Sequence, residues 1–481
     1  MLVGDVWLCS GQSNMSLRLG ASLGVAEDIK DADFPQIRQL EIAFRTASSP
    51  VSDVTVTGDW TPCSPATAKN FSGVAFYFAR EVFRKTQVPI GLIHSSRGGS
   101  YIWAWWSPEG LASVPELVND PESNKFYQLE NYRKNLPSAL VARENWVKAV
   151  HQAVADKSDS SLTPAKQAVM KTNLQVALDA QDAWIKASRA ALAGNGDLAS
   201  PPPADFVRLL AALTDRKDLV VPPVPNGAPD DRTSWYAIYN AMIYPMAPFA
   251  IKGALWYQGE NNGLDDDIYS LKMRALIGGW RMLWGQGDFP FYFVQLPGYK
   301  EPTDDPADSF GWPDIREAQR KSMSIQNTGM AITIDVGDAA NIHPTNKYDV
   351  GRRLALWALA KDYGLTELVY SGPIYREMKV EDNKVRLLFD YAEAGLMVGK
   401  KEGRGEVTED KNGKLGSFAI AGEDKVWQWA EAMLDGQAVV LWSDKVPKPV
   451  AVRYAYSWNP VGASLYNRAG LPACPFRTDN W

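Results

Sequence analysis

Ser13 stands in Ser10-Gly11-Gln12-Ser13-Asn14-Met15, directly after the apolar run Val3-Gly4-Asp5-Val6-Trp7-Leu8-Cys9. A buried strand that breaks at a glycine and sets a serine where a helix begins can mount a nucleophile. The backbone N–H groups of such a turn are free to hold the negative oxygen of a tetrahedral intermediate. A serine at that place also makes an ordinary helix N-cap, so the chemical reading needs partners elsewhere in the chain. The chain has 3 histidines, which limits the candidate bases. His151 sits in Lys148-Ala149-Val150-His151, a helical stretch, and reads as surface or packing. His94 ends a strand beside the turn Arg97-Gly98-Gly99-Ser100. His343, in Asn341-Ile342-His343-Pro344, follows a strand and precedes a long helix. A histidine pinned by proline in a loop after a strand is well placed for proton transfer.

Ser13, Gly98, Gln258 and His343 all follow strands expected from the pattern. In a parallel sheet, loops at the C-terminal strand ends gather at one edge. The roles then divide. Ser13 attacks an ester carbonyl, and His343 takes the serine proton and returns it to the leaving alcohol. The N–H of Ser13, the N–H of Gly98 and the side-chain amide of Gln258 form an oxyanion hole, each donor being worth about 3 kcal/mol in the transition state. The plainer alternatives are a tight turn at Gly98-Gly99 and a satisfied loop amide at Gln258.

These residues must be held by elements the pattern also predicts. A strand is expected at Val3–Cys9, a helix over Val74–Lys85 and a strand at Val88–Ile93, which is parallel α/β grammar. From about Ser107 to Asp231 strand patterns vanish. A helix covers roughly Leu140–Ala155. Another runs from Thr163-Pro164, an N-cap and first helical residue, to Gly194, with Met170, Leu174, Leu178, Ile185 and Leu192 on one face. The α/β pattern then returns: helices over Ser234–Met246, Tyr269–Trp284 and Asp349–Asp362, and strands at Ile251–Trp256, Phe289–Gln295 and Gly329–Ile334. After about Tyr370 the period becomes two, as in Val385, Leu387, Phe389 and Val439, Leu441. The expected organisation is an α/β parallel-sheet catalytic domain in two parts, 1–106 and 232–369, split by a helical insertion at 107–231 and followed by a β-rich domain at 370–481.

The chain has 481 residues, with 46% hydrophobic and 22% charged, an ordinary globular balance. A net charge of −6 with no long basic run argues against nucleic acid and anionic membrane surfaces as partners. No apolar stretch is long enough to span a bilayer. The chain opens directly on a core strand, as a chain does whose leader or upstream domain has been removed; a removed leader favours a secreted or periplasmic protein. Cys9, Cys63 and Cys474 make no C-x-x-C pattern, so neither a metal cluster nor a disulfide framework is expected. Several of the 18 tryptophans lie in polar, glycine-containing stretches. Aromatic faces there suit the weakly apolar faces of sugar rings, and Trp103 and Trp106 are the candidates; core filling is the alternative.

Gly11-Gln12-Ser13-Asn14-Met15, Gly98-Gly99-Ser100, Trp256-Tyr257-Gln258-Gly259-Glu260-Asn261 and Ile342-His343-Pro344 occur in this order. The combination resembles the sialate O-acetylesterase family of SGNH hydrolases, which includes esterases acting on plant cell-wall polysaccharides. The resemblance covers about Gly4–Pro108 and Ser234–Gly364 and extends to Trp458-Asn459-Pro460 and Leu465-Tyr466-Asn467. It implies a three-layer α/β/α flavodoxin-like domain, no metal or other cofactor, and removal of acetyl groups from sugar hydroxyls through a serine acyl-enzyme. The partner is then an acetylated oligo- or polysaccharide: xylan, xyloglucan or sialic acid. It assigns an oxyanion amide to Gln258 and leaves Arg97 and Asn261 as substrate contacts, with a surface cation as the alternative for Arg97.

One position departs from the pattern. SGNH enzymes carry Asp three residues before the histidine, and here that residue is Ala340. The orienting carboxylate is then Asp338 or Asp335, or a backbone carbonyl serves and the pair is a dyad; for Asp338 the alternative is an Asx hydrogen bond closing its own loop. Glu260 reads as a structural carboxylate bonded to nearby backbone or an arginine. Gly20-Ala21-Ser22-Leu23-Gly24 matches G-x-S-x-G, but that motif requires a buried strand immediately before it, so Ser22 is a chance match. Two rivals remain: a general short-chain esterase or lipase, and an inactive carbohydrate-binding homologue.

Overall fold

Seven strands form the central sheet: β1 (Asp5–Gly11), β2 (Phe34–Glu41), β3 (Thr61–Cys63), β4 (Ile90–Ser96), β5 (Gly253–Tyr257), β6 (Phe291–Val294) and β7 (Thr328–Ala331). The computed structural model describes residues 2–47, 49–118, 127–156, 163–194, 198, 201–202, 213, 219–222, 235–308 and 310–481. The sheet order is β3-β2-β4-β1-β5-β6-β7, parallel throughout except for the edge pair β2/β3. Numbered among the parallel strands alone this is 2-3-1-4-5-6, so the first half departs from the flavodoxin order 2-1-3-4-5. The chain leaves β1 for the outer strand β2 and comes back to fill the gap with β4. It then crosses to the other side of β1 with β5. The order therefore reverses at β1, and loops on its two sides diverge to leave a crevice at its C-terminal end.

Strands β5, β6 and β7 are buried in every residue or nearly so because both faces are covered. Phe291 on β6 packs against Trp280 of the helix that runs Ile268–Trp284. Its neighbour Tyr292 points the other way, to Trp7 and Trp357. On that second face the helices α2 (Gly73–Thr86) and Lys347–Lys361 lie side by side, with Phe78 edge-on to Trp7.

The long helices Tyr127–Asp156 and Pro164–Leu192 pack on one another through Trp146 and Val150 against Leu174 and Leu178. Thr163 caps the second, its hydroxyl accepting from the Lys166 N–H, and Leu192, expected on the buried face, is exposed. The helix expected over 234–246 is replaced. Residue 234 lies outside the described residues, and from Tyr239 the chain makes a π-helical turn to Ile243 and a 3-10 turn over Tyr244–Met246. Pro245 has no N–H to donate to a carbonyl four residues back, so a regular α-helix cannot pass through it.

Beyond Pro373 three antiparallel sheets follow, two of four strands and one of three. The period-two positions Val385, Leu387, Phe389, Val439 and Leu441 are buried as the alternation requires.

Candidate active site

Gly11 ends β1 at φ +131°, and a Cβ there would stand 2.1 Å from the Tyr257 carbonyl oxygen. Only glycine allows this turn so close to β5. Gln12 N–H then donates to Tyr257 O (2.9 Å), and the short helix α1 (Ser13–Ser16) begins. Ser13 is its first residue. On the other side of the crevice the loop after β7 brings in His343, whose Nε2 lies 2.8 Å from Ser13 Oγ. The loop is pinned twice next to the imidazole. Asn341 Oδ1 accepts from the His343 N–H (2.9 Å), and Asn14 Nδ2 donates to Ile342 O (3.0 Å). Burial, and then the positive charge of Lys347, lower the His343 pKa below its usual 6.5. The ring therefore rests neutral at pH 7, as a base must.

Neither aspartate offered for orienting the ring meets it. Asp338 is exposed and its Oδ1 accepts from the Ala340 N–H (2.9 Å), which is the loop-closing bond. The Asp335 side chain is buried and grips Arg353 with both oxygens (2.6 and 2.7 Å). Among the described residues no acceptor stands within hydrogen-bonding distance of His343 Nδ1. The arrangement is a Ser–His dyad.

Gly98 faces the serine: a Cβ on it would come within 3.4 Å of Ser13 Cβ. The N–H groups of Ser13 and Gly98 meet no backbone acceptor among the described residues. Gln258, the expected third donor, is corrected by its own hydrogen bonds. It is fully buried, and its amide N–H groups go to Ser100 O (3.2 Å) and Asn262 Oδ1 (2.6 Å) while Oε1 accepts from Tyr269 (2.7 Å). It supports the loops under the crevice and has no donor left for an oxyanion. Asn261 Nδ2 donates to Gly99 O (2.8 Å) and so holds the Gly98–Gly99 turn. Arg97 lays its guanidinium on the Phe44 ring, 3.8 Å from the centroid.

The expectation for Trp106 is also corrected. Trp106 is completely buried, its indole N–H bonded to Lys272 O (3.1 Å). Trp103 stacks on Tyr101 at 4.3 Å, with the Lys272 ammonium 5.0 Å from its ring. Trp106 offers no face to a sugar ring, whereas Trp103 is half-buried. Spacing in a polar, glycine-containing stretch did not distinguish a wet groove from a core.

A family profile described as carbohydrate esterase, sialic acid-specific acetylesterase, matches residues 3–150 and 214–360, more than half of the chain. The chain belongs to this family. The sialate O-acetylesterase of Mus musculus is 27% identical over 522 residues, covering 99% of this chain and 77% of the mouse protein. That of Homo sapiens is 26% identical, covering 99% and 75%. The crystal structure of a carbohydrate acetylesterase from Xanthomonas citri superposes with a TM-score of 0.69 at 30% identity, covering 100% of this chain and 81% of that one. The protein is an acetylesterase hydrolase of the carbohydrate esterase class.

Sequence reasoning missed three supports of this acetylesterase's crevice. Asn14, beside Ser13, is buried and also donates from Nδ2 to Glu260 Oε1 (2.5 Å), so Glu260 meets a side-chain amide besides the nearby backbone expected. Lys347, likewise buried, donates to Asn14 Oδ1 (2.5 Å). Arg316 is fully buried. It donates to the carbonyls of Leu296, Pro297, Ser457 and Trp458, and burial lowers its pKa to about 9. The Trp458 carbonyl also receives the Tyr299 N–H, and the Lys300 N–H binds Ala339 O in the histidine loop (3.1 Å each). The tail of the β-rich region thus braces the loop that carries His343. A helix position such as Arg316 reads as a surface cation in sequence, and only its carbonyl cage, gathered from distant segments, says otherwise.

Proposed function

We propose that this acetylesterase removes acetyl groups from sugar hydroxyls through an acetyl-enzyme on Ser13. Ser13 Oγ attacks the acetyl carbonyl as His343 Nε2 takes its proton. The new oxyanion is held by the N–H groups of Ser13 and Gly98. His343 returns the proton to the sugar oxygen as the ester C–O bond breaks. A water then attacks acetyl-Ser13 with His343 again as base, and acetate leaves with the serine hydroxyl restored. The observation that carries this reading is the 2.8 Å contact between two side chains 330 positions apart. An inactive carbohydrate-binding relative has no need to keep that contact at the switch point of the sheet.

The substrate is an O-acetylated saccharide. The named relatives point to acetylated sialic acid, and the wider carbohydrate esterase class to acetylated xylan or xyloglucan. The test is acetate release across acetylated sialic acid, xylan and xyloglucan, with the parent enzyme and Ser13→Ala side by side. Release from at least one glycan that Ser13→Ala abolishes supports the proposal. Release that survives Ser13→Ala, or a rate that rises with acyl length on simple esters, overturns it.

A further inference from the structure

We propose that Lys347, acting through Asn14, is a positioning residue that holds the His343 loop against the Ser13 turn and sets how far into acid the pair can work. The inference rests on Ser13 and His343 being the reacting pair. A single amide makes the junction. An ammonium can only donate, so it must face Asn14 Oδ1; a carbonyl and an ionised carboxylate can only accept, so they must face Nδ2. The bonds agree: Lys347 Nζ to Oδ1 at 2.5 Å, Nδ2 to Ile342 O at 3.0 Å and to Glu260 Oε1 at 2.5 Å. Asn14 therefore ties together the residue after the nucleophile, the residue before the base, the turn after β5 and the first residue of the helix Lys347–Lys361. The orientation of the amide is decided by the cation at one end.

The position is a poor one for a cation. Lys347 is completely buried, which disfavours its charge. It also starts a helix, where the exposed N–H groups already present positive potential. The groups facing it are few. From the β5 side come the Glu260 carboxylate and the face of the Tyr257 ring, 5.2 Å from the ammonium. From its own loop comes His343, from α1 Asn14, and from α2 the backbone of Gly73 against its Cβ. Asp349, two residues on, is taken by Lys401 at 2.7 Å. Burial lowers Lys347 to about 7 while Glu260 pushes the other way. It is thus still cationic below pH 6.5, where His343 takes up its proton. A cation there disfavours imidazolium and keeps the base free at lower pH.

The experiment compares the pH dependence of kcat/KM for the parent, Lys347→Met and Lys347→Gln, using 4-nitrophenyl acetate. Methionine removes both the charge and the donor; glutamine removes the charge and keeps a donor for Asn14. Both variants are expected to move the acid limb up by roughly half to one pH unit. Methionine is expected to lower kcat at the optimum about tenfold further than glutamine, the lost positioning. A purely structural lysine would lower activity and leave the limb where it was. An unmoved limb in a variant that still melts cooperatively overturns the proposal, and if the methionine protein does not fold, the glutamine protein decides. Ser13→Ala run alongside separates the failures. Activity surviving in Ser13→Ala sinks the reading of the pair, whereas an inactive Ser13→Ala with an unmoved limb sinks only the role of Lys347.

Discussion

His94, buried within β4, and His343, in the loop after β7, invert the usual expectation. His94 has the fuller set of partners. Its Nε2 lies 2.6 Å from Ser96 Oγ and its Nδ1 2.8 Å from Glu41 Oε2, a Ser–His–Glu string in every distance. Burial pushes the Glu41 carboxyl up, but hydrogen bonds from His94 and Arg18 outweigh it and hold it at about 2. Among the described residues the His343 ring is bonded to Ser13 alone. Strand geometry alone builds the first string: Glu41 is paired opposite His94, and Ser96 is two residues on, so all three share one face. What that string lacks is a place for charge to develop. The N–H after Ser96 belongs to the ladder, donating to Gly11 O at 3.0 Å, and Ser96 Oγ is also bonded to Ser16 Oγ at 2.7 Å. Ser13, at the start of a helix and facing Gly98, has unspent N–H groups. A Ser–His hydrogen bond between neighbours on one strand is therefore not enough; what Ser13 adds to its long-range contact with His343 is free backbone donors beside the hydroxyl. The His94 string fastens α1 to β4, which sets Ser13 against Gly98.

The contrast breaks most sharply at the two serines. Ser13→Ala is expected to cut kcat for acetate release by about 10⁴-fold or more, while Ser96→Ala keeps it within about threefold; the reverse result would exchange the two sites. His343→Gln should cost about 10³- to 10⁴-fold on the same assay. The acid limb sharpens the picture. His343 is held below 6.5, so kcat/KM should stay level from neutral pH down past 6.5 and then fall about tenfold per pH unit as the imidazole takes its proton. His94→Gln should act on the fold instead. It leaves Glu41 and Ser96 without their shared partner and should lower stability by about 1–3 kcal/mol in denaturant titration, with activity per folded molecule changed only severalfold. The smallest effect belongs to Asp338→Ala, which removes one exposed loop bond and should alter kcat/KM by less than about twofold. A large loss there would restore a triad.

Much of the scaffold was readable because it rests on local periodicity. The apolar run after Gly4, the helix Gly73–Thr86 and the alternation at Val385, Leu387 and Phe389 all follow from burying one face or two. Thr163-Pro164 placed a helix start to the residue, since cap chemistry is local. The regular helix expected over 234–246 could not run through Pro245, which lacks a donor. Gln258 and Trp106 failed for another reason: a polar or aromatic side chain after a strand reads the same whether its partners are solvent or distant loops. Asn14, Lys347 and Arg316 gave no signal, since each has its meaning only in bonds to residues scores or hundreds of positions away.

Residue types and their order were enough to expect a serine, an imidazole and a glycine turn at one edge of the sheet, where strand ends in a parallel sheet must converge. Which amide is spent, which carboxylate is engaged elsewhere and which buried cation faces the base depend on packing among remote segments. Hydrogen-bond partnership and burial are properties of the assembled chain, so no local pattern encodes them.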